Sequence, residues 1–287
     1  MTDNQLQGNT AGKHTKVADK QACDETYGQR VISLTVAYDG GAFHGFARQP
    51  GQPTVQGAIE DALKVVYRRD VLTVGAGRTD AGVHANGQVV SFQISDNEFN
   101  ARTAQKLAYS LNAIVPRGIS IRGAQERPSG FSARFSARER VYRYRICIDD
   151  ARPVFTAPYV WWLPARKAPD GRMAIRAMDE AARYLIGEHD FKSFCVAKSA
   201  DGMPTCRCVR SIEFFKAQHL GERCIVIEVA GNAFLHSMVR VIVGSLVEVG
   251  MQRKDPMWIK DVLAARDRTA AGQTAPACGL TFWRVVY

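Results

Sequence analysis

Apolar residues alternate with polar ones along several short runs of this 287-residue chain, and they recur every three to four positions along others. In the first half these runs predict four strands and two helices: strands at 31–38, 71–74, 88–94 and 119–122, and helices at 54–67 and 101–114. Thr54 is a typical residue for the start of a helix, and Pro116 stops the second helix. The first half is therefore predicted to have the order strand-helix-strand-strand-helix-strand.

The second half repeats much of this order without repeating the sequence. Its predicted strands and helices, in chain order, lie at 136–148, 173–186, 209–215, 225–229, 234–249, 256–265 and 279–286. The order fits ferredoxin-like units, as in RNA-recognition modules. We therefore predict an α+β fold with an N-terminal half at 31–133 and a C-terminal half at 134–287. Residues 1–30 are polar without apolar periodicity, which predicts a disordered extension.

Positive charge is concentrated in the predicted folded part. The formal net charge is +10, and residues 1–29 carry three lysines and four acidic residues. This leaves 35 of the 38 basic residues and 24 of the 28 acidic residues in the remainder. A basic excess of this size predicts an anionic partner such as a nucleic acid.

The composition disfavours several other classes of protein. The sequence has no apolar run of membrane length, and its polar start lacks the layout of a signal peptide, so a soluble, cytoplasmic protein is expected. Seven cysteines, an odd number, predict reduced thiols rather than a disulfide framework. Cys206 and Cys208 have no second Cys or His pair at zinc-ligand spacing, so no metal is expected.

A glycine-rich loop with an arginine and an acid near its centre separates two predicted strands. Its glycines stand at positions 75, 77 and 82, a spacing that matches no phosphate-binding fingerprint, and no helix pattern follows. The carboxylate of Asp80 would also repel phosphate. Arg78 and Asp80 are therefore either a surface ion pair in a turn or side chains that the loop presents for chemistry.

One arginine lies in the middle of a predicted helix that is apolar nearly all round. The apolar residues of the helix at 234–249 include Leu235, Met238, Val239, Val241, Ile242, Val243 and Leu246. This pattern predicts a buried helix. Arg240 must then either pair with an anion or extend its guanidinium to the surface.

The predicted long strand at 136–148 has one face whose polarity changes along its length. Its even positions change from basic through aromatic to apolar: Arg138, Arg140, Tyr142, Tyr144, Ile146 and Ile148. An aromatic ring bordered by arginines suits stacking on an unstacked base, with phosphates held beside it. The alternative is a core tyrosine beside a solvated basic edge.

Four segments of the chain together resemble one protein family. They are Gly77-Arg78-Thr79-Asp80-Ala81-Gly82-Val83-His84; Tyr38-Asp39-Gly40-Gly41-Ala42-Phe43-His44-Gly45-Phe46 with Thr54-Val55-Gln56-Gly57; Phe135-Ser136-Ala137 with Val141-Tyr142-Arg143-Tyr144-Arg145; and Asn232-Ala233-Phe234-Leu235-His236-Ser237-Met238-Val239-Arg240 with Ile242-Val243-Gly244-Ser245-Leu246. They resemble, in order, the signatures of the tRNA pseudouridine synthases of the TruA type. One departure is Phe46-Ala47, where the family usually has Trp-Gln, which removes a polar amide.

The resemblance implies an architecture and a reaction. The family has two α+β halves joined into one antiparallel sheet, with helices on one face and the active-site cleft between the halves. Its members isomerise uridine to pseudouridine at positions 38 to 40 in the anticodon stem-loop of tRNA, as homodimers and without a cofactor. The uracil leaves C1′ through N1, rotates, and reattaches through C5.

The resemblance also implies roles for particular residues. Asp80 would be the catalytic carboxylate, acting at C1′ or alternatively at C6, and Arg240 would be its ion-pair partner. Arg78 would orient Asp80 and fill the space left by the flipped base. Tyr142 would stack on the uracil, and Leu280 would pack over it.

The remaining charged and titratable residues leave two functions to be compared. Arg138 and Arg140 are predicted to contact the RNA beside Tyr142. The histidines at 44, 84, 189 and 236 are not expected to be catalysts, because no Ser or Cys motif pairs with them. A non-enzymatic RNA-binding protein would also explain the charge and the aromatic strand, but it would leave the loop around Asp80 without a function.

Overall fold

The structure is a computed structural model that describes residues 29–196 and 202–287. Within these ranges the chain forms ten strands, all in one sheet, and six α-helices. None of the helices in these two ranges is long and apolar enough to cross a membrane. The predicted disordered extension lies outside the described residues except at positions 29 and 30, which already belong to the first strand.

The elements of the first half agree with the predicted order but differ at their ends. They are β1 (Gln29–Tyr38), α1 (Val55–Tyr67), β2 (Val74–Gly75), β3 (His84–Ser95), α2 (Asp96–Ala101), α3 (Ala104–Ile114) and β4 (Ile119–Arg127). The short helix α2 was not predicted, and it starts with a reciprocal capping box between Ser95 and Glu98. Thr103 then caps α3, so the helix predicted from residue 101 begins later.

The second half adds two short strands that apolar periodicity does not reveal. Its elements are β5 (Glu139–Cys147), β6 (Trp161–Trp162), α4 (Ile175–Arg183), β7 (Gly187–Asp190), β8 (Cys206–His219), β9 (Glu222–Gly231), α5 (Met238–Gly250), α6 (Trp258–Ala265) and β10 (Leu280–Val286). The helix predicted from residue 234 begins only at Met238. The reason is that Ser237 takes a left-handed backbone conformation with φ of 58°, which a helix cannot accommodate.

The sheet joins the two halves through its last strand. The strand order is β4-β1-β3-β10-β5-β9-β8-β7, with β2 added beside β3 and β6 beside β5. Most neighbours are antiparallel, but β10 runs parallel to β3, with Thr281 opposite His84 and Phe282 opposite Ala85. β6 also runs parallel to β5. The prediction of an antiparallel sheet is therefore correct for most pairs and wrong for two, β3 with β10 and β5 with β6.

A single large hydrophobic cluster contains side chains from both halves. It includes Ile59 and Leu63 of α1, Leu111 of α3 and Met178 of α4, all fully buried, together with the inner side chains of α5. These residues lie at the helical spacings that predicted them. Burying each side chain of this size contributes roughly 2 kcal/mol, so the two halves are stabilised by one shared core.

The segment that precedes β10 crosses α5 at very short range. A Cβ atom added to Gly244 would lie 1.8 Å from the carbonyl oxygen of Gln273. Nearby, the N–H of Ala275 donates to the carbonyl of Arg240 at 3.1 Å. This close crossing fixes the start of α5 relative to the strand that joins the two halves.

Replacing Gly244 by Ala should lower the free energy of unfolding by about 1–3 kcal/mol, because the new methyl group meets backbone that cannot rotate away. Gly123→Ala in β4 is the matched control: its Cβ would meet nothing within 4 Å, so its effect should stay within about 0.5 kcal/mol. Urea unfolding followed by circular dichroism measures both. Equally small effects would show that the segment does not pack on α5 in this way.

Candidate active site

The loop between β2 and β3 is held by hydrogen bonds to its own backbone. The Gln88 amide donates to the Gly77 carbonyl at 2.8 Å, and the Phe46 N–H donates to the Thr79 carbonyl at 3.1 Å. The hydroxyl groups of Tyr38 and Thr79 are 2.7 Å apart. Hydrogen bonds of this kind contribute about 1 kcal/mol each. Together they fix the loop immediately before its aspartate.

The Asp80 carboxylate contacts three residues around the start of α5. Arg240 Nη1 and Ser237 Oγ both donate to Oδ2, at 2.9 and 2.7 Å. His236 Nε2 lies 3.3 Å from Oδ1. The Asp80 and Arg240 side chains are only 20% and 18% exposed, so their ion pair is screened much less than a surface pair. One carboxylate oxygen is thus firmly held, and the other is more open to a substrate.

Arg240 is itself fixed in position by backbone. Its Nε donates to the carbonyl of Ala275 at 2.8 Å while Nη1 binds Asp80. Of the two alternatives that the sequence left open for this arginine, the structure has the pairing with an anion. Losing one partner of such a shielded pair typically costs about 3–5 kcal/mol.

Sequence reasoning missed two of the residues around Asp80. His236 was considered only as a catalyst and set aside, and Ser237 was placed inside the predicted helix. Ser237 instead lies in a left-handed turn just before α5, a conformation uncommon outside glycine, and from there its hydroxyl donates to Asp80. The available signal was the polar His-Ser pair at the entrance to an otherwise apolar helix.

Tyr142 lies between two phenylalanines close to the aspartate loop. Its ring contacts Phe234 and Phe282 in edge-to-face geometry, with centroids 5.1 and 4.8 Å away. A Cβ on Gly77 would come within 3.6 Å of the tyrosine hydroxyl, so the loop backbone passes directly over it. Tyr142 is 6% exposed, and burial raises the pKa of its phenol. The hydroxyl is therefore protonated and can donate a hydrogen bond.

Arg140 is occupied by the backbone around the loop. It is 9% exposed, and its guanidinium donates to the carbonyl oxygens of Ala76, Arg134, Ala137 and Asn232. Burial lowers the pKa of this arginine, yet an arginine stays charged in proteins. Because these four carbonyls occupy the guanidinium, we assign Arg140 to holding the aspartate loop rather than to the RNA contact expected from the sequence.

The other predicted site residues differ in their surroundings. Leu280 is buried at the start of β10, opposite Tyr144. Arg138 is exposed. Arg78 is also exposed, and within the described ranges its side chain has no hydrogen bond or ion pair, so the expected contact with Asp80 is absent there. The loop turns the neighbouring Thr79 inward and leaves Arg78 in solvent.

Phe46, at the position where the sequence departs from the family pattern, is a packing residue. It is 2% exposed and stacks near Tyr38, with ring centroids 6.3 Å apart. A Cβ on Gly75 would lie 2.4 Å from its ring, so only glycine fits there. Because the ring is buried under the loop, it contributes to packing at this position.

Metal ligands are not clustered in the part of the chain that the structure describes. No group of three or more His, Cys, Asp or Glu side chains there could hold a metal ion.

The buried histidine at the start of β3, His84, accepts a hydrogen bond from the Gly40 N–H at Nδ1 and faces the Pro158 carbonyl through Nε2. Burial lowers its pKa, so this ring is neutral.

Comparison with known proteins agrees with these features. Residues 34–136 and 181–287 match a protein family described as tRNA pseudouridine synthase. The tRNA pseudouridine synthase A of Thermotoga neapolitana is 40% identical over 258 residues, which are 90% of this chain and all of that protein. The tRNA pseudouridine synthase A of Brevibacillus brevis is 43% identical over 256 residues, covering 89% of this chain and 99% of the relative.

The chain has a mixed α+β fold with a shielded aspartate-arginine pair. It is also similar to tRNA pseudouridine synthases over about 90% of its length. The chain belongs to the tRNA pseudouridine synthase family. It is accordingly an isomerase that acts on tRNA.

Changing Arg140 to Met should lower the free energy of unfolding by about 2–4 kcal/mol, because backbone carbonyls around the loop lose a charged donor. Arg138→Met, at an exposed position immediately before β5, is the control and should change it by less than about 0.5 kcal/mol. Urea denaturation measures both variants. If Arg140 serves mainly to bind RNA, its variant will unfold like the unchanged protein and lose only tRNA affinity.

Proposed function

We propose that this chain isomerises uridine to pseudouridine at positions 38 to 40 in the anticodon stem-loop of tRNA, with Asp80 as the catalytic carboxylate. The observation that carries the proposal is the environment of Asp80. Arg240 and Ser237 hold Oδ2, whereas Oδ1 faces the exposed ring of His236 at 3.3 Å, so Oδ1 is proposed as the oxygen that reacts. The Arg240 guanidinium also places a positive charge beside the carboxylate, which acts as an anion in the proposed chemistry.

The proposed reaction rearranges bonds within one nucleotide. The C1′–N1 bond breaks with assistance from Asp80, the uracil rotates and a C1′–C5 bond forms. The proton on C5 is then lost and N1 takes up a proton, so the product is an isomer of the substrate. No electrons or groups come from outside, so no cofactor is needed. The target uridine must first leave the base stack, as in other enzymes that act on bases. The proposal favours action at C1′ and keeps attack on C6 as its alternative.

The neighbouring residues are proposed to retain the free base. Tyr142 offers a ring and a protonated hydroxyl beside the loop, and Leu280 packs over the uracil. Arg138 is proposed to hold an RNA phosphate from its exposed position immediately before β5. Arg78 is proposed to assist base flipping. Its side chain is exposed and, within the described residues, makes no hydrogen bond or ion pair that it would have to break.

The site is proposed to lie in a cleft between two ferredoxin-like halves, divided near residue 133, with helices on one face of the sheet. The strand orders support this division. In the first half the order is β4-β1-β3-β2, and in the second it is β10-β5-β9-β8, the same arrangement of corresponding strands. We further propose that the protein is cytoplasmic and a homodimer. Analytical ultracentrifugation of the purified chain tests the homodimer directly.

Asp80→Asn should abolish isomerisation and leave tRNA affinity within about tenfold, because the amide keeps the shape of the carboxylate but not its charge. Release of tritium from tRNA carrying 5-³H-uridine measures turnover, and Asp70→Asn at an exposed position is the control. Turnover near that of the unchanged protein, with deamidation excluded, would remove Asp80 from the mechanism. Tritium release itself distinguishes an isomerase from an RNA-binding protein without catalysis.

Arg78→Lys should strongly reduce turnover on intact tRNA, because lysine keeps the charge but loses the planar guanidinium that can stack in a vacated base position. A tRNA whose target uridine is mismatched needs less energy for flipping. The variant should recover part of its loss on that substrate in single-turnover kinetics. Equal fractional losses on both substrates would exclude the flipping role.

A further inference from the structure

Two cysteines face each other across neighbouring strands. In the antiparallel pairing of β5 with β9, Cys147 lies directly opposite Cys224. At the next positions the Ile148 N–H donates to the Arg223 carbonyl at 3.0 Å, which makes that pair a hydrogen-bonded one. Because hydrogen-bonded and non-hydrogen-bonded pairs alternate, Cys147 and Cys224 form a non-hydrogen-bonded pair.

This kind of pair places the two sulfurs within bonding reach. The Cα atoms of a non-hydrogen-bonded pair are about 4.5 Å apart, and disulfides are found at Cα separations of about 4.4–6.8 Å. A disulfide could therefore form with little movement of either strand.

The cysteine pair lies away from the aspartate site. It forms a small apolar cluster with Val160, separate from the main core, and Trp162 packs against it. Cys147 is on the face of β5 opposite Tyr142, because side chains alternate along a strand. Cys224 also lines a cavity of about 900 Å³. A small molecule can therefore approach the pair from that cavity.

We propose that Cys147 and Cys224 form a modification site, a dithiol that peroxides oxidise to a cross-strand disulfide. The Cys224 thiolate attacks one peroxide oxygen and becomes a sulfenic acid, and the other oxygen leaves as hydroxide. The Cys147 thiolate then attacks the sulfenic sulfur, and its hydroxyl leaves as water once protonated. The two sulfurs lose two electrons, peroxide gains them, and the two thiol protons end in two water molecules.

Burial makes the oxidation slow. It raises the pKa of Cys224 to about 11, with Cys147 and Glu222 adding to the rise and Arg145 opposing it. Burial also raises the pKa of Cys147. Since the thiolate is the nucleophile, the pair should react more slowly at neutral pH than the exposed Cys206. Once formed, the disulfide should persist, because the same burial shields it from reductants.

The first test is prolonged oxidation of the intact chain with hydrogen peroxide, followed by tryptic digestion without reduction. Trypsin releases Cys147 in peptide 146–166 and Cys224 in peptide 224–240. We expect these peptides as one species about 2 Da lighter than their sum, which a thiol reductant separates. Cys224→Ser should remove this species, and Cys206→Ser should retain it. Recovery of the two peptides unlinked from the oxidised protein would overturn the proposal.

A second test uses no oxidant. Phenylarsine oxide condenses with two adjacent thiols and releases one water, so the reduced chain should carry one arsenical that joins peptides 146–166 and 224–240. This test uses the unchanged protein. It therefore remains valid if Cys224→Ser, which places a serine at a buried position, prevents folding. An arsenical bound only at Cys206 and Cys208, or none bound, would show that the cross-strand thiols cannot be bridged.

Discussion

The ion pair between Asp80 and Arg240 is the contact on which the proposed site depends. The two residues are 160 positions apart in sequence, one in the loop of the first half and the other in the first turn of α5. Both are largely shielded from solvent. A shielded charge without its partner would be costly, so the aspartate loop and the start of α5 must come together for the site to form. Side chains from both parts of the chain also belong to one large hydrophobic cluster.

The precision of the aspartate loop comes from buried donors aimed at backbone carbonyls. Arg140 from β5, Gln88 from β3 and the Phe46 backbone each bind a carbonyl of the loop. Buried carbonyls without donors are costly, so each bond constrains the loop path. Arg140, which the sequence suggested for RNA contact, thus fixes the backbone of the loop through its hydrogen bond to the Ala76 carbonyl.

Strand β5 has the proposed catalytic site on one face and the cysteine pair on the other, because its side chains alternate between faces. One face carries Tyr142 beside the aspartate loop, followed by Tyr144 and Ile146 in the core. The other face carries Arg143, which lies over the ring of Trp283 at 4.0 Å, and ends at Cys147. A change at the cysteine pair can therefore reach the proposed catalytic face only through the backbone of the strand.

The sequence by itself determined the order of most helices and strands, because apolar spacing records which side of each element is buried. It also indicated that Arg240 must either pair with an anion or extend its guanidinium to the surface, since an apolar helix offers a guanidinium no partner. The tertiary structure alone decided that Ser237 and His236 meet Asp80, because a left-handed turn outside any periodic pattern brings them there. It also decided that Arg140 binds backbone carbonyls while Arg138 stays in solvent. Their identical side chains and matching strand positions cannot show which one the folded loop will cover.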